Sequence, residues 1–150
     1  MDKVATLRTA HNFKNTCQNC SNDIEFPLLG DFAYGEIIFQ TKDAKDFYIA
    51  VLIDNNTFSF ITETLQRNKE LTNKEVDPKK VLALLADKVN NKELTADYPL
   101  CPICGILLTS YGDNIRTTTR EIAYASWGEF ERLEPDYKIE LIKKAIYQVT

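Results

Sequence analysis

A chain of 150 residues has the length of one ordinary domain, and its 44% hydrophobic and 27% charged residues are typical of a folded globular protein rather than a disordered one. Its net charge of −4 disfavours broad binding to a phosphate backbone, which depends on clustered Lys and Arg. The sequence shows no secretory signal pattern, and no apolar run approaches the length of a membrane span. We therefore expect a cytoplasmic protein that does not enter a membrane.

The first half of the chain predicts extended segments followed by an antiparallel meander. Within residues 12–29, a short strand or turn is expected on each side of the first cysteine pair. Strands are predicted over 35–41 and 47–54, which are rich in apolar and aromatic residues. Aromatic and polar residues alternate over 57–64, after a turn signal at Asp54–Asn56. That alternation predicts a third strand in the same sheet.

The second half predicts two helices and a returning strand. Pro78 is expected to open a helix behind Asp77 as N-cap, and the helix is expected to end at Asn90–Asn91. The composition of 116–127 is rich in Thr, Ile, Tyr and Ala, which favours a strand. Pro135 is expected to open a C-terminal helix with an apolar stripe at helical spacing. The stripe contains Ile139, Ile142, Ile146 and Val149.

All four cysteines of the chain occur in two C-x-x-C pairs, Cys17 with Cys20 and Cys101 with Cys104. This spacing lets two thiolates bind one metal ion, and four thiolates complete the tetrahedral coordination of a structural Zn²⁺ site. In a reducing compartment, paired cysteines are more often metal ligands than disulfides. The four cysteines are therefore predicted to be metal ligands, with Zn²⁺ as the expected metal.

The segment Cys101-Pro102-Ile103-Cys104-Gly105 resembles the second knuckle of zinc-ribbon proteins, and Cys17-Gln18-Asn19-Cys20 resembles the first. The resemblance implies a structural metal between two hairpin knuckles, and it covers only those knuckles and their flanks. The chain departs from the family at Ser21, where Gly usually follows the first knuckle, and in its long spacer. We interpret the spacer as an inserted sheet and helix, residues about 30–97, within a single α+β domain over residues 1–150.

Other chemistry at the cysteines stays open. Buried free thiols are one alternative, and two redox-active pairs are another, although Pro102 and Gly105 do not suit a thioredoxin-type motif. Rubredoxin-like iron is the rival to zinc, because its second knuckle is also Cys-Pro-x-Cys-Gly. His11 is the only histidine, and four thiolates already fill a tetrahedral site. It is therefore interpreted as a surface or structural residue.

The sequence contains none of the familiar catalytic motifs. A four-cysteine site has no open coordination position, and H-E-x-x-H, phosphate-loop and nucleophile-elbow patterns are absent. The carboxylate pairs Asp43 with Asp46 and Glu129 with Glu131 lie in polar stretches, which favours solvated positions. We interpret the protein as a non-enzyme.

The first functional hypothesis is a zinc-stabilised module that binds another protein in an adaptor, regulatory or immunity-type role. A small acidic immunity protein that neutralises a toxin would be one concrete form. Aromatic side chains could anchor the partner. Exposed aromatic residues would have this role, although such residues are more often part of the core, and the candidates are Tyr34, Tyr48, Tyr111 and Trp127.

Two alternatives come from other classes. A nucleic-acid-binding zinc ribbon would need a local basic patch, which the acidic net charge weighs against. The candidate patches are Lys79, Lys80, Lys88 and Lys92, or Arg116 with Arg120. The other alternative is electron transfer by iron, or redox sensing by the thiols.

Overall fold

A computed structural model describes residues 7–29, 35–68, 75–108 and 115–149. The strands are β1 (Leu7–Thr16), β2 (Asp23–Leu28), β3 (Glu36–Thr41), β4 (Phe47–Val51), β5 (Leu94–Thr95) and β6 (Ile115–Tyr124). The helices are α1 (Asn56–Arg67), α2 (Pro78–Leu85), α3 (Gly128–Glu131) and α4 (Pro135–Val149). The six strands form one sheet in the order β2-β1-β6-β4-β3-β5. This architecture confirms the predicted α+β class.

The sheet is mixed rather than wholly antiparallel. β1 pairs antiparallel with β2 and β6, and β3 pairs antiparallel with β4 and β5. The two groups meet where β4 and β6 run parallel, with Tyr48 opposite Ala123 and Ile49 opposite Tyr124. The strands of the predicted insertion therefore share one continuous sheet with the strands that flank the cysteines.

The main core lies between one face of the sheet and the helices. Phe39 on β3 and Ala50 on β4 are fully buried in it, together with Ile61 on α1, Leu82 on α2 and Ile142 on α4. Removing these apolar side chains from water is what holds the helices on the sheet. Among the described residues, no helix is long and apolar enough to span a bilayer.

The predicted starts of two helices are confirmed. The Asp77 side chain accepts a hydrogen bond from Lys79 N at 2.9 Å, and Pro78 occupies the first turn of α2. α4 begins at Pro135. α2 ends at Leu85, however, and does not reach Asn90–Asn91.

Asn90 and Asn91 form a turn instead. Both have positive φ, at 53° and 63°, between the bridged residues Val89 and Lys92. Two consecutive residues with positive φ are typical of a tight hairpin turn, in which Asn is favoured. The asparagines therefore close a small hairpin after the helix rather than ending the helix itself.

The third strand predicted over 57–64 is wrong, because these residues belong to α1. Asn55 has an extended backbone, and its side-chain oxygen accepts a hydrogen bond from Phe58 N at 3.0 Å, which caps the helix. The side chains that α1 buries recur at helical spacing: Thr57, Ile61 and Thr64. Local aromatic content favours a strand, but burial of this face against the core favours the helix.

The strand predictions elsewhere are close to the structure. β3 matches 35–41, β4 ends at Val51 rather than at residue 54, and β6 covers most of 116–127. β6 ends at Tyr124, so Trp127 lies beyond it, where the chain enters α3.

Two smaller apolar clusters lie apart from the helical core and lead to the cysteines. Ile38, Ile49 and Ile122 are buried together, with Phe47 and Tyr98 packed against them. Phe47 and Tyr98 also pack against the second cluster, whose buried members are Cys17, Ile24, Phe26, Cys101 and Leu108. Cys17 and Cys101 therefore lie inside packed structure, and Cys20 packs against it.

Candidate metal centre

The four cysteine sulfurs lie close together, although their pairs are far apart in the sequence. Cys17 Sγ is 3.6 Å from Cys104 Sγ, and Cys20 Sγ is 3.7 Å from Cys101 Sγ. All four sulfurs lie within 4.8 Å of one another. These separations are too long for disulfide bonds, and the thiols are free. A tetrahedral zinc site with bonds of about 2.3 Å would place its sulfurs about 3.8 Å apart.

The two cysteine pairs lie in turns with the same backbone hydrogen bonds. In the first turn, Ser21 N–H donates to Cys17 O at 3.0 Å, and Cys17 N–H donates to Asn22 O at 2.9 Å. In the second turn, Gly105 N–H donates to Cys101 O at 2.8 Å, and Cys101 N–H donates to Ile106 O at 2.9 Å. Each turn therefore directs its two sulfurs toward the other turn.

Both turns require a left-handed residue directly after the second cysteine. Gly105 takes this conformation with φ of 77°, and Ser21 takes it with φ of 61°. Glycine adopts positive φ without steric cost, whereas serine has a Cβ that disfavours it. Ser21 therefore adopts the conformation of the usual glycine despite the departure from the zinc-ribbon pattern.

Hydrogen bonds to the exposed side of the cluster favour thiolates. The backbone N–H of Ile106 and then the Asn19 side chain donate to Cys104, and they lower the pKa of its thiol to about 6. The side chain and then the backbone N–H of Asn22 lower the pKa of Cys20. Donation to the charged form of an acid is the physical cause of both shifts.

On the buried side of the cluster, the thiol pKa is raised instead of lowered. Burial raises the pKa of the Cys101 thiol to about 11, although the N–H groups of Cys104 and Ile103 act against that rise. Cys101 and Cys17 are buried, Cys20 is partly buried and Cys104 is exposed. A cation bound among the sulfurs would supply the charge that Cys101 needs to remain a thiolate.

Gln40 is a positioning residue that the sequence analysis missed. Its side chain is fully buried on β3, where Oε1 accepts from Leu100 N at 2.8 Å and Nε2 donates to Leu100 O at 3.1 Å. Nε2 also donates to Ala44 O at 2.8 Å. Gln40 therefore fixes both backbone groups of the residue before Cys101. A polar residue inside the apolar strand 36–41 was the available signal.

Tyr98, just before the second turn, contacts β2, the strand that follows the first turn. Its hydroxyl donates to Pro27 O on β2, and its ring makes edge contacts with Phe26 and Phe47 at centroid distances of 6.3 and 6.0 Å. Such edge-to-face pairs stabilise by more than the burial of their area. The approach of the turns thus has side-chain support independent of the sulfurs.

The structure also places the predicted partner-anchoring aromatics. Trp127 is 7% exposed, and its Nε1 donates to Leu82 O at 2.9 Å, so the expectation of an exposed anchor is wrong for this residue. Tyr48 packs against the main core. Tyr34 and Tyr111 lie outside the described residues.

Four of the six basic residues in the two candidate patches have local partners. Lys92 Nζ lies 2.8 Å from an Asp43 carboxylate oxygen and 3.2 Å from one of Asp46, and Lys80 Nζ lies 3.7 Å from Asp97. A second group lies on β6: Arg116 beside His11, and Arg120 over the ring of Phe47. His11 is not part of the sulfur cluster.

The donor set and its geometry fit one metal ion held by four thiolates. Among the described residues, these cysteines are also the one group of three or more His, Cys, Asp or Glu side chains close enough to share an ion. No protein-family model matches this chain, and no curated protein or solved structure matches it significantly.

Proposed function

We propose that this protein is a non-enzymatic protein-binding module stabilised by Zn²⁺ bound to Cys17, Cys20, Cys101 and Cys104. The observation that carries the proposal is the mutual approach of the four sulfurs within 4.8 Å. Four thiolates occupy every position of a tetrahedral ion and leave none for a substrate or a reactive water. The role of the metal is then to join two distant parts of the chain.

Zinc is favoured over iron by the setting of the site. Zn²⁺ is redox-inert and is commonly bound by four thiolates as a structural ion. The cysteines here lie in turns outside the strands of a sheet that packs against a helical core, whereas rubredoxin-like iron normally lies in a much shorter, self-contained fold. A bound ion would stabilise the folded state because its site does not exist in the unfolded chain.

Exposed apolar side chains on the second knuckle support a protein partner. Ile103 is 60% exposed, Leu107 is 40% exposed and Ile106 is 36% exposed, and all three lie within five consecutive residues. Clustered exposed apolar residues are a common feature of protein interaction sites. The ion pairs and ring contacts of the basic residues, together with the net charge of −4, weigh against nucleic acid.

Elemental analysis tests the metal part of the proposal. The protein would be purified without a chelator or a nickel column, and zinc, iron and chain concentrations would be measured on the same sample. We expect one zinc per chain. Iron with visible charge-transfer absorption would replace the proposal with electron transfer. A metal-free protein that does not take up added Zn²⁺ would overturn it.

A matched pair of variants tests the partner part. Native pull-downs from the source cell would compare the wild type with the double variant Ile103→Ser and Leu107→Ser. The control is Ile115→Ser, which removes an isoleucine that is 63% exposed on β6. We expect a partner that the wild type and control retain and the double variant loses. The absence of any specific partner under native conditions would count against a binding module.

A further inference from the structure

A cavity of about 670 Å³ opens at the edge of the sheet where the parallel strands β4 and β6 both end. Val51 and Ile53 line one side, and Tyr124, Ala125 and Trp127 line the other. The carboxyl ends of adjacent parallel strands form the crevice in which open sheets commonly bind ligands. The volume lies within the range of small-ligand pockets.

The charged groups of the cavity carry one sign. Asp54 and Glu131 both line it and are exposed. Among the described residues that line it, none is Lys, Arg or His. A Cβ built on Gly128 would lie 3.5 Å from both Arg132 Nη2 and Asp87 Oδ2, so their opposite charges offset each other beside this residue. The cavity is therefore complementary to a cation and repels an anion.

The N-terminus of α1 does not reverse this preference. Asn55 lies at the cavity and already accepts the hydrogen bond from Phe58 N. A capped N-terminus has fewer free N–H groups for an anion. Its partial positive charge is also smaller in magnitude than the negative charge of two carboxylates. Chloride, phosphate or a carboxylate ligand would meet Asp54 and Glu131 at the same opening.

The apolar walls suit a cation carried on an aliphatic stem. Ile53 is 57% exposed at the cavity and offers surface for methylene groups, while the ring of Tyr124 lies in the wall with its hydroxyl donated to Glu36 at 3.1 Å. Lys and Arg side chains combine such a stem with a charged end. A free metal cation would leave these apolar walls without a contact.

We propose that this cavity binds a Lys or Arg side chain of a protein partner, with the aliphatic stem on Ile53 and the charged end between Asp54 and Glu131. The inference rests on the proposed protein-binding function and names the chemistry of the partner. It also assigns a binding role to the end of the sheet away from the cysteines.

The test uses N-acetyl-arginine amide as the probe and N-acetyl-citrulline amide, its uncharged isostere, as the control. The full chain with its bound metal would be titrated with each, and amide and indole N–H shifts recorded by NMR. Trp127 is the single Trp of the chain, so its indole signal reports on the cavity wall without ambiguity. We expect saturable shifts at Trp127, Ser126 and Gly128 with arginine amide alone, weakened by added salt.

A double variant that removes both negative charges, Asp54→Asn with Glu131→Gln, tests the role of the carboxylates. The hydroxyl of Thr57 lies 3.3 Å from Glu131 Oε1 and can still donate to the amide oxygen of Gln. We expect the variant to bind arginine amide about ten-fold more weakly, as expected for the loss of two exposed ion pairs. The control variant, Glu63→Gln with Asp136→Asn, removes the same charge from exposed helix positions outside the cavity. We expect it to bind like the wild type.

The possible failures are distinguishable. Equal shifts with arginine and citrulline amides, shifts elsewhere in the spectrum, or equal affinity of the double variant and wild type would each overturn the cavity proposal. Zinc content and partner capture by the wild type do not depend on those outcomes. If a partner is captured equally well by the Asp54→Asn/Glu131→Gln variant, the protein-binding function stands and the cavity proposal falls.

Discussion

The two cysteine turns have the same backbone geometry but reach it by different means. The first turn closes the hairpin of β1 and β2, whose strands pair continuously from His11 opposite Leu28 to Thr16 opposite Asp23. In the part of the chain that the structure describes, the second turn has one bridge beneath it, between Leu100 and Leu107. Local strand pairing positions the first turn, whereas the second depends on groups elsewhere in the fold.

The difference is visible in the residues that each turn contains. The first turn has polar residues at its tip and a strained Ser21, and it is supported by a long ladder. The second has Pro102 and Gly105, which suit the turn conformation, together with the buried amide of Gln40 at its base. A favourable local sequence and a distant hydrogen-bonding residue thus support the second turn, whereas a long strand ladder supports the first.

The largest expected effect comes from removing a ligand, because that affects both turns at once. Cys101→Ser should abolish one-to-one zinc binding and lower the free energy of unfolding by more than about 3 kcal/mol, since the bound ion stabilises only the folded state. Thermal melts with and without a chelator would measure it. The chelator should lower the melting temperature of the wild type and leave that of the variant nearly unchanged. A variant that melts like the untreated wild type would exclude a structural metal.

A change at Gln40 should weaken the second turn without touching a sulfur. Gln40→Leu leaves Leu100 N, Leu100 O and Ala44 O without their buried partner, at a cost of about 2 to 4 kcal/mol. Urea unfolding and competition with a zinc-binding dye would show lower stability and weaker zinc affinity. Gln66→Leu, at an exposed position on α1, is the matched control and should have little effect. Normal zinc affinity in Gln40→Leu would refute the positioning role.

Exchanging glycine and serine at the two positions with positive φ should change the free energy of unfolding in opposite directions. Gly105→Ser should destabilise by about 1 kcal/mol, and Ser21→Gly should stabilise by about 0.5 to 1 kcal/mol. A Cβ at Gly105 would meet no atom within 4 Å, so backbone conformation is the expected cause. The double exchange should lie near the wild type in denaturant unfolding. Effects of the same sign would show that the turns differ in more than this residue.

The last prediction concerns the reactivity of two thiols in the metal-free protein rather than its stability. It tests the surroundings of the two cysteines in the second turn directly. The pKa of Cys104 is lowered to about 6 and that of Cys101 is raised to about 11, so at pH 7 Cys104 is mainly thiolate and Cys101 mainly thiol. Alkylation by iodoacetamide, followed by mass spectrometry, should modify Cys104 far faster, because the thiolate is the nucleophile. Cys104 labelling should slow as the pH falls through about 6.

Two comparisons make the reactivity measurement decisive. In denaturant the two cysteines should react at similar rates, because both pKa shifts depend on folded surroundings. Asn19→Ala removes a donor to Cys104 and should move its labelling midpoint to higher pH. Equal labelling rates in the folded metal-free protein would contradict the unequal environments of the two sulfurs.

Features encoded by nearby residues could be predicted from the sequence. Asp77 with Pro78, and Pro135, predicted where α2 and α4 begin, because the start of a helix depends on residues within one turn. The paired spacing identified the four cysteines as a group, because C-x-x-C determines how two sulfurs lie in one turn. The strands β3 and β6 followed from their composition.

Features decided by distant contacts could not be predicted in the same way. The segment 57–64 has aromatic alternation typical of a strand, yet it forms α1 because one side of that helix is buried in the core. The parallel pairing of β4 with β6, and the cavity at their ends, join segments that lie far apart in the chain. Sequence periodicity indicates which residues face inward, but it does not predict which element packs against them.

The sequence by itself determined the two cysteine pairs, the turn residues around them and the starts of two helices, because each depends on chemistry within a few residues. Only the tertiary structure decided that Gln40 supports the second turn, that Trp127 is a buried wall rather than an exposed anchor, and that Asp54 and Glu131 line one cavity. Those roles arise where strands and helices that are distant in sequence pack together. Burial and hydrogen bonding are properties of that packing, so a residue acquires them from its neighbours in space.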